Sequence, residues 1–296
     1  MKPCIAALAV VAAVLLPGAL AAQSVDTTIA VRSGARFELH SVSGNIRIQS
    51  WSRPQMHVVA EADGVRVEVD ASPSEVAVRT FPRHGEGDVD FTITVPVNTP
   101  LEIQAISSDI DVGGVCGEAT LSSISGGVTL RCGNGDVQVE SVSGDVQAGD
   151  IRGHLDVSST SGDVAAEQVH GDVSARSVSG DVSLSHVDGN DVRAETVSGD
   201  IGFSGPVHDG GRYAFRSHSG DVTVRPDGDL SATVSVSTFS GDVESDWPMT
   251  INPGGPVGPR QWEFTIGAGS ARLTMESFSG TIYLRRGGAA PRRGND

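Results

Sequence analysis

From residue 117 to residue 203, apolar side chains fall at fixed distances from a glycine, and the pattern repeats every nine residues. Glycines stand at 117, 126, 135, 144, 153, 162, 171, 180 and 189, then at 199 after one inserted residue. Two after the glycine come Val128, Val137, Val146, Leu155, Val164, Val173, Val182 and Ile201. Four after it come Leu130, Val139, Ala148, Val157, Ala166, Ala175, Leu184 and Phe203. Two before it stand Ile124, Val142, Ile151, Val169, Val178, Val187 and Val197. Spacing by two is the period of a strand, so all these positions are expected on one buried face. By the same register Phe239 and Phe278, two before Gly241 and Gly280, are expected in the core.

Nine residues is too short for a helical repeat, and alternate units are more alike than neighbours. Ser-x-Ser-Gly recurs at Gly126, Gly144, Gly162 and Gly180, whereas the leaders of the intervening glycines vary. The true unit is therefore 18 residues. This predicts an all-β protein, a parallel two-sheet β-solenoid whose 18-residue coils are each made of two nine-residue arcs. Stacked coils bury a core that no single coil could bury. The glycine is expected at a corner, where positive φ or a close backbone approach excludes a Cβ.

The ends modify this picture. Lys2, the apolar run Ile5–Leu16 and the small residues Ala19–Ala22 read as a secretion signal over residues 1–22. A run of this length is too short to span a bilayer. Residues 23–286 are expected to form a single solenoid domain: irregular coils over 23–100, regular coils over 101–204, and wider coils with loops over 205–286. The irregular N-terminal segment and the final coil would cap the exposed sheet edges. The polar tail 287–296 is expected to be disordered. "DWPMTINPGGPVGPRQW" (Asp246–Trp262) is a Pro/Gly-rich excursion, and Trp247 and Trp262 are candidate contact residues at its ends.

Loss of Lys2 with the signal would take the formal charge from −16 to −17, with a pI near 4.8. Such a surface repels nucleic acid and anionic lipid, and neither is expected as a partner. Asp145, Asp163, Asp181, Asp200, Asp221 and Asp242 follow their glycines directly and would stack into a ladder about 4.8 Å per rung. Two readings remain open: carboxylates accepting hydrogen bonds at the corners, or cations held between rungs. The calcium-binding repeat Gly-Gly-x-Gly-x-Asp-x-U-x differs, because one Asp per corner supplies few of the six to eight oxygens that calcium takes. No cofactor is expected.

Cys116 and Cys132 would survive processing, and an even pair in an oxidising compartment suggests a disulfide. Straight neighbouring strands would hold their Cα atoms roughly 8 Å apart, so a bond needs a corner between them. His170 and His186 repeat the spacing of the cysteines, without a third ligand in register. No Gly-x-Ser-x-Gly elbow or phosphate-cradling loop precedes a helix.

Three stretches carry a family resemblance. "FTITVPVNTPLEIQAISSDIDVGGV" (Phe91–Val115), the run of Ser-x-Ser-Gly-Asp-Val units, and "FTIGAGSARLTMESFSGTIYLRR" (Phe264–Arg286) resemble the entry, body and close of the DUF4097 family, often labelled adhesins. The resemblance covers nearly the whole chain after the signal. It implies a β-solenoid-like envelope or surface protein and carries over no functional residue. The expectation is a non-catalytic, exported, adhesin-like scaffold or binding protein, periplasmic or at the cell surface, with a protein or polysaccharide ligand. The alternatives are a carbohydrate-active parallel β-helix enzyme and a calcium-stabilised β-roll.

Overall fold

Strand Val128–Ser141 lies parallel to Val146–Ser159, with Val146 beside Val128 and Ser159 beside Ser141. Val164 follows beside Val146, and Val182 beside Val164. Each coil thus advances 18 residues and adds one rung to each of two parallel ladders. The computed structural model describes residues 23–82, 87–248 and 260–287. Among them there is no helix, and none long and apolar enough to cross a membrane. The expected signal, the tail from residue 288, and residues 249–259 lie outside the described residues.

The residues two and four after the glycines form the core, from Val128 and Leu130 to Ile201 and Phe203, all nearly inaccessible; only after Gly189 does the inserted residue shift the buried pair by one, to Val192 and Ala194. The residues two before the glycine divide by arc, and here the expected register is corrected. Ile151, Val169 and Val187 are buried, but Ile124, Val142, Val178 and Val197 are 46–48% exposed. Phe239 and Phe278 are likewise 47% and 48% exposed, not core.

A backbone kink accounts for the split. In the arcs with varied leaders, Asp150, Gln168 and His186 adopt positive φ of 54–56°. Each adds one residue out of step, as a bulge does, and turns the next side chain inward. In the Ser-x-Ser-Gly arcs no such residue intervenes. Strict alternation carries Ser141, Ser159 and Ser177 inward and the following residue outward.

At both ends the order in space departs from the order in sequence. Strand Arg36–Trp51 is a whole coil, yet Leu101–Gly113 lies on one side of it, with Glu75–Pro82 and Asp88–Pro96 on the other. At the far end Ala271–Ser279 sits between Arg212–Ser219 and Ala232–Ser240. Ile282–Leu284 sits likewise between Val222–Asp227 and Val243–Ser245. The final coil is therefore an inserted rung rather than the expected cap. Antiparallel strands cover the outermost rungs: Arg260–Ile266 on Ala232–Ser240, Gln55–Asp63 on Asp88–Pro96, and Val65–Ser72 on Glu75–Pro82.

Candidate functional site

The Ser-x-Ser-Gly-Asp corner repeats on successive coils, and each position has a separate task. The serine three before the glycine turns inward, and its hydroxyl donates to the glycine carbonyl of the preceding coil. Ser159 donates to Gly144 at 3.0 Å, Ser177 to Gly162 at 3.1 Å and Ser217 to Gly199 at 3.0 Å. Thr196 and Ser277 do the same to Gly180 and Gly220. A buried hydroxyl without a partner costs about 1–3 kcal/mol, so these bonds stabilise the stack; Thr238, three before Gly241, is buried in the same row without a partner.

In the regular coils the aspartate side chain accepts a hydrogen bond from the backbone N–H of the next coil. The amides of Asp163, Asp181, Asp200 and Asp221 donate to Asp145, Asp163, Asp181 and Asp200 at 2.7–2.9 Å. Asp221 accepts from Thr281, which belongs to the inserted final coil. Thr281 therefore stands between Asp221 and Asp242, and the aspartate row is interrupted there. Among the described residues no group of three or more His, Cys, Asp or Glu could hold a metal ion.

This geometry leads to a paired prediction. Asp163→Asn keeps the accepting oxygen and removes like charges about 5 Å apart, so its stability should equal or exceed wild type. Asp163→Ala loses the acceptor and should cost about 1 kcal/mol. Thermal melts in calcium and in excess chelator should coincide for the unmodified protein. A large drop with chelator, together with a damaged Asn variant, would put cations between the rungs.

At the opposite corner Cys116 and Cys132 are joined by a disulfide, with Cα atoms 4.9 Å apart. Cys132 has φ of 84°, and this local turn shortens the distance expected of straight strands. His170 and His186 do not converge. Instead His170 Nδ1 lies 3.6 Å from Asp188, whose other oxygen pairs with His208 Nε2 at 2.5 Å. The His208 hydrogen bond holds the Asp188 carboxyl below the usual carboxylate range, with further help from His170. His208 escaped sequence reasoning because an insertion separates it from the regular register.

Trp262 is 8% exposed and packs in the core, with Arg260 over its ring. Trp247 is partly buried, with Arg286 over its ring at 5.3 Å.

The outward residues before the Ser-x-Ser-Gly corners form two adjacent columns that periodicity alone did not reveal. One is mostly apolar, with Thr160 and His218 as its polar members: Ile106, Ile124, Val142, Thr160, Val178, Val197, His218, Phe278 and Phe239, in spatial order. Phe239 stacks on Phe278, and His218 on Phe278, each at 4.8 Å between ring centroids. Beside it runs a charged column through Arg176, Glu195, Arg216 and Glu276. Arg216 bonds both of its glutamate neighbours at 3.1 Å, and Glu276 foremost raises its already high pKa. Between the columns lies an open groove of about 780 Å³.

These features define an all-β, solenoid-like protein with a structural Ser-Gly-Asp corner and an amphipathic outer track. The chain belongs to the DUF4097, or Toastrack, family, whose model matches residues 43–285. It is similar to a solved structure of a candidate adhesin from Bacteroides fragilis NCTC 9343, at 11% identity and a TM-score of 0.44. That match covers 90% of this chain and 98% of the other. A candidate adhesin from Parabacteroides distasonis ATCC 8503 matches at 12% identity and a TM-score of 0.35, covering 89% and 98%. No curated protein matches this chain.

Proposed function

We propose that this chain is an exported, non-catalytic scaffold of the cell envelope, adhesin-like in that it holds a protein or polysaccharide ligand on the outside of its solenoid. One observation carries the reading. The serines and aspartates that the repeat multiplies are engaged in bonds between coils, while the exposed columns beside them form a continuous track on a rigid frame. Binding surfaces are commonly presented on such frames. The basic and apolar start of the chain supports export, and the acidic balance favours a partner other than nucleic acid.

The test is fractionation followed by binding. The protein should be recovered outside the cytoplasm, with its N-terminus near residue 23, and should sediment with isolated envelope without releasing reducing sugar. Recovery from the cytoplasm with residues 1–22 intact would end the export reading. Release of reducing ends from envelope polysaccharide would replace the scaffold with a carbohydrate-active enzyme.

A further inference from the structure

We propose that the outer track is a self-complementary surface on which a second copy of this chain docks, antiparallel, about a two-fold axis. Six rungs make up this surface, in spatial order Thr160, Val178, Val197, His218, Phe278 and Phe239. They line the open groove, and all six are exposed.

The order of sizes along this row is the first observation. Three small side chains are followed by three rings. A parallel neighbour would set ring against ring and leave gaps between the small residues. An antiparallel neighbour sets Thr160 against Phe239, Val178 against Phe278 and Val197 against His218. Each ring then fills the space beside a small residue, and a close-packed contact needs that complementarity.

Charge gives the second observation, independently of size. The column beside the row reads Ser158, Arg176, Glu195, Arg216, Glu276, Ser237 over the same rungs. Reversed, this order inverts its charges. An antiparallel copy places Arg176 against Glu276 and Glu195 against Arg216, whereas a parallel copy places like against like. Both patterns invert about one point, between the rungs of Val197 and His218. A two-fold axis imposes that condition on a surface that pairs with itself.

Extent fits a modest interface. Six rungs span roughly 24 Å. Val178, Val197, Phe278 and Phe239 each leave nearly half their surface open. Monomeric proteins rarely leave continuous apolar strips of several hundred Å² without a use for them. With the charged column added, the strip approaches the lower end of the ~800 Å² per partner of ordinary interfaces. The dimer should therefore be reversible and dependent on concentration. The antiparallel strands over the outermost rungs make stacking end to end less favourable than this lateral contact.

Sedimentation velocity of the purified protein over a concentration series tests the pairing. The weight-average mass should rise toward twice the monomer. Arg176→Glu and Glu276→Arg, both at solvent-facing positions, should each weaken association at least tenfold while melting near wild type. Mixed together, the two variants should associate again, because the altered charges then face one another across the axis. A protein that stays monomeric throughout overturns the proposal. So does a dimer that both variants leave intact, or one that mixing fails to restore. A monomer whose Phe278 and Phe239 become protected only on adding envelope polysaccharide or protein would assign the track to a foreign ligand instead.

Discussion

Removal of residues 268–296 is expected to abolish the ordered C-terminal third of the solenoid while leaving its middle folded. The deleted segment holds the strand between Arg212–Ser219 and Ala232–Ser240, so both lose a full ladder of backbone bonds. It also carries Leu273, Met275, Ile282 and Leu284, all essentially inaccessible. At about 1.5–3 kcal/mol for each buried side chain, these four contribute roughly 6–12 kcal/mol. That is comparable with the whole stability of an ordinary domain, about 5–15 kcal/mol. In a solenoid each rung contacts only its neighbours, so the damage should stay local. Hydrogen exchange should become fast at residues 212–219 and 232–240 and remain slow at 146–159. Unchanged protection at 212–240 would mean that the outer coil re-stacks directly on Arg212–Ser219, and that the inserted rung is dispensable.

The second large effect is expected at Gly162. Its φ lies outside the left-handed region, so conformational freedom is not what selects glycine there. A Cβ would stand 2.3 Å from the carbonyl oxygen of Gly144. The backbone corner of the preceding coil occupies that space and cannot move without disturbing the coils on either side. Gly162→Ala should cost about 3 kcal/mol, and Gly162→Val more. For a chain of this size the alanine variant should melt roughly 6–12 °C below wild type. Gln168, six residues later, gives the opposite sign. It is exposed with φ of 56°, so Gln168→Gly should relieve strain and stabilise by about 0.5–1 kcal/mol. Equal losses at the two positions would contradict the register described for the corner.

The all-β, solenoid-like architecture was legible because the inward residues after the glycines repeat every nine residues, with a single one-residue shift after Gly189. The fate of the residue before the corner was not. Val178 and Val169 both stand two before a glycine, yet one faces solvent and the other the core. The difference lies in Gln168, an ordinary polar residue whose left-handed backbone has no mark in the sequence. That single conformational fact hid the outer track, since Ile124, Val142, Phe239 and Phe278 looked like core by period alone. The insertion of the last coil was hidden for another reason. A repeat register fixes which residues lie side by side within rungs, but it does not fix which rungs are neighbours. The aspartates were legible as a row, while their use depends on backbone amides one coil further on, which spacing does not locate.

In the regular coils the inward serine hydroxyls and the amides of the corner aspartates donate to the coil before them, while the amides of Gly180 and Gly199 and of the valines just after the corners donate to the coil that follows. A chain delivered N-terminus first would thus meet, at each new turn, a set of acceptors already fixed by its predecessor. Growth of the regular coils can then proceed as templated addition, each turn guiding the one that follows. The segment 271–284 departs from that sequence, since its place opens only between two turns already laid down. Arriving after the turns that flank it, this stretch acts as a keystone, locking the turns on either side at once.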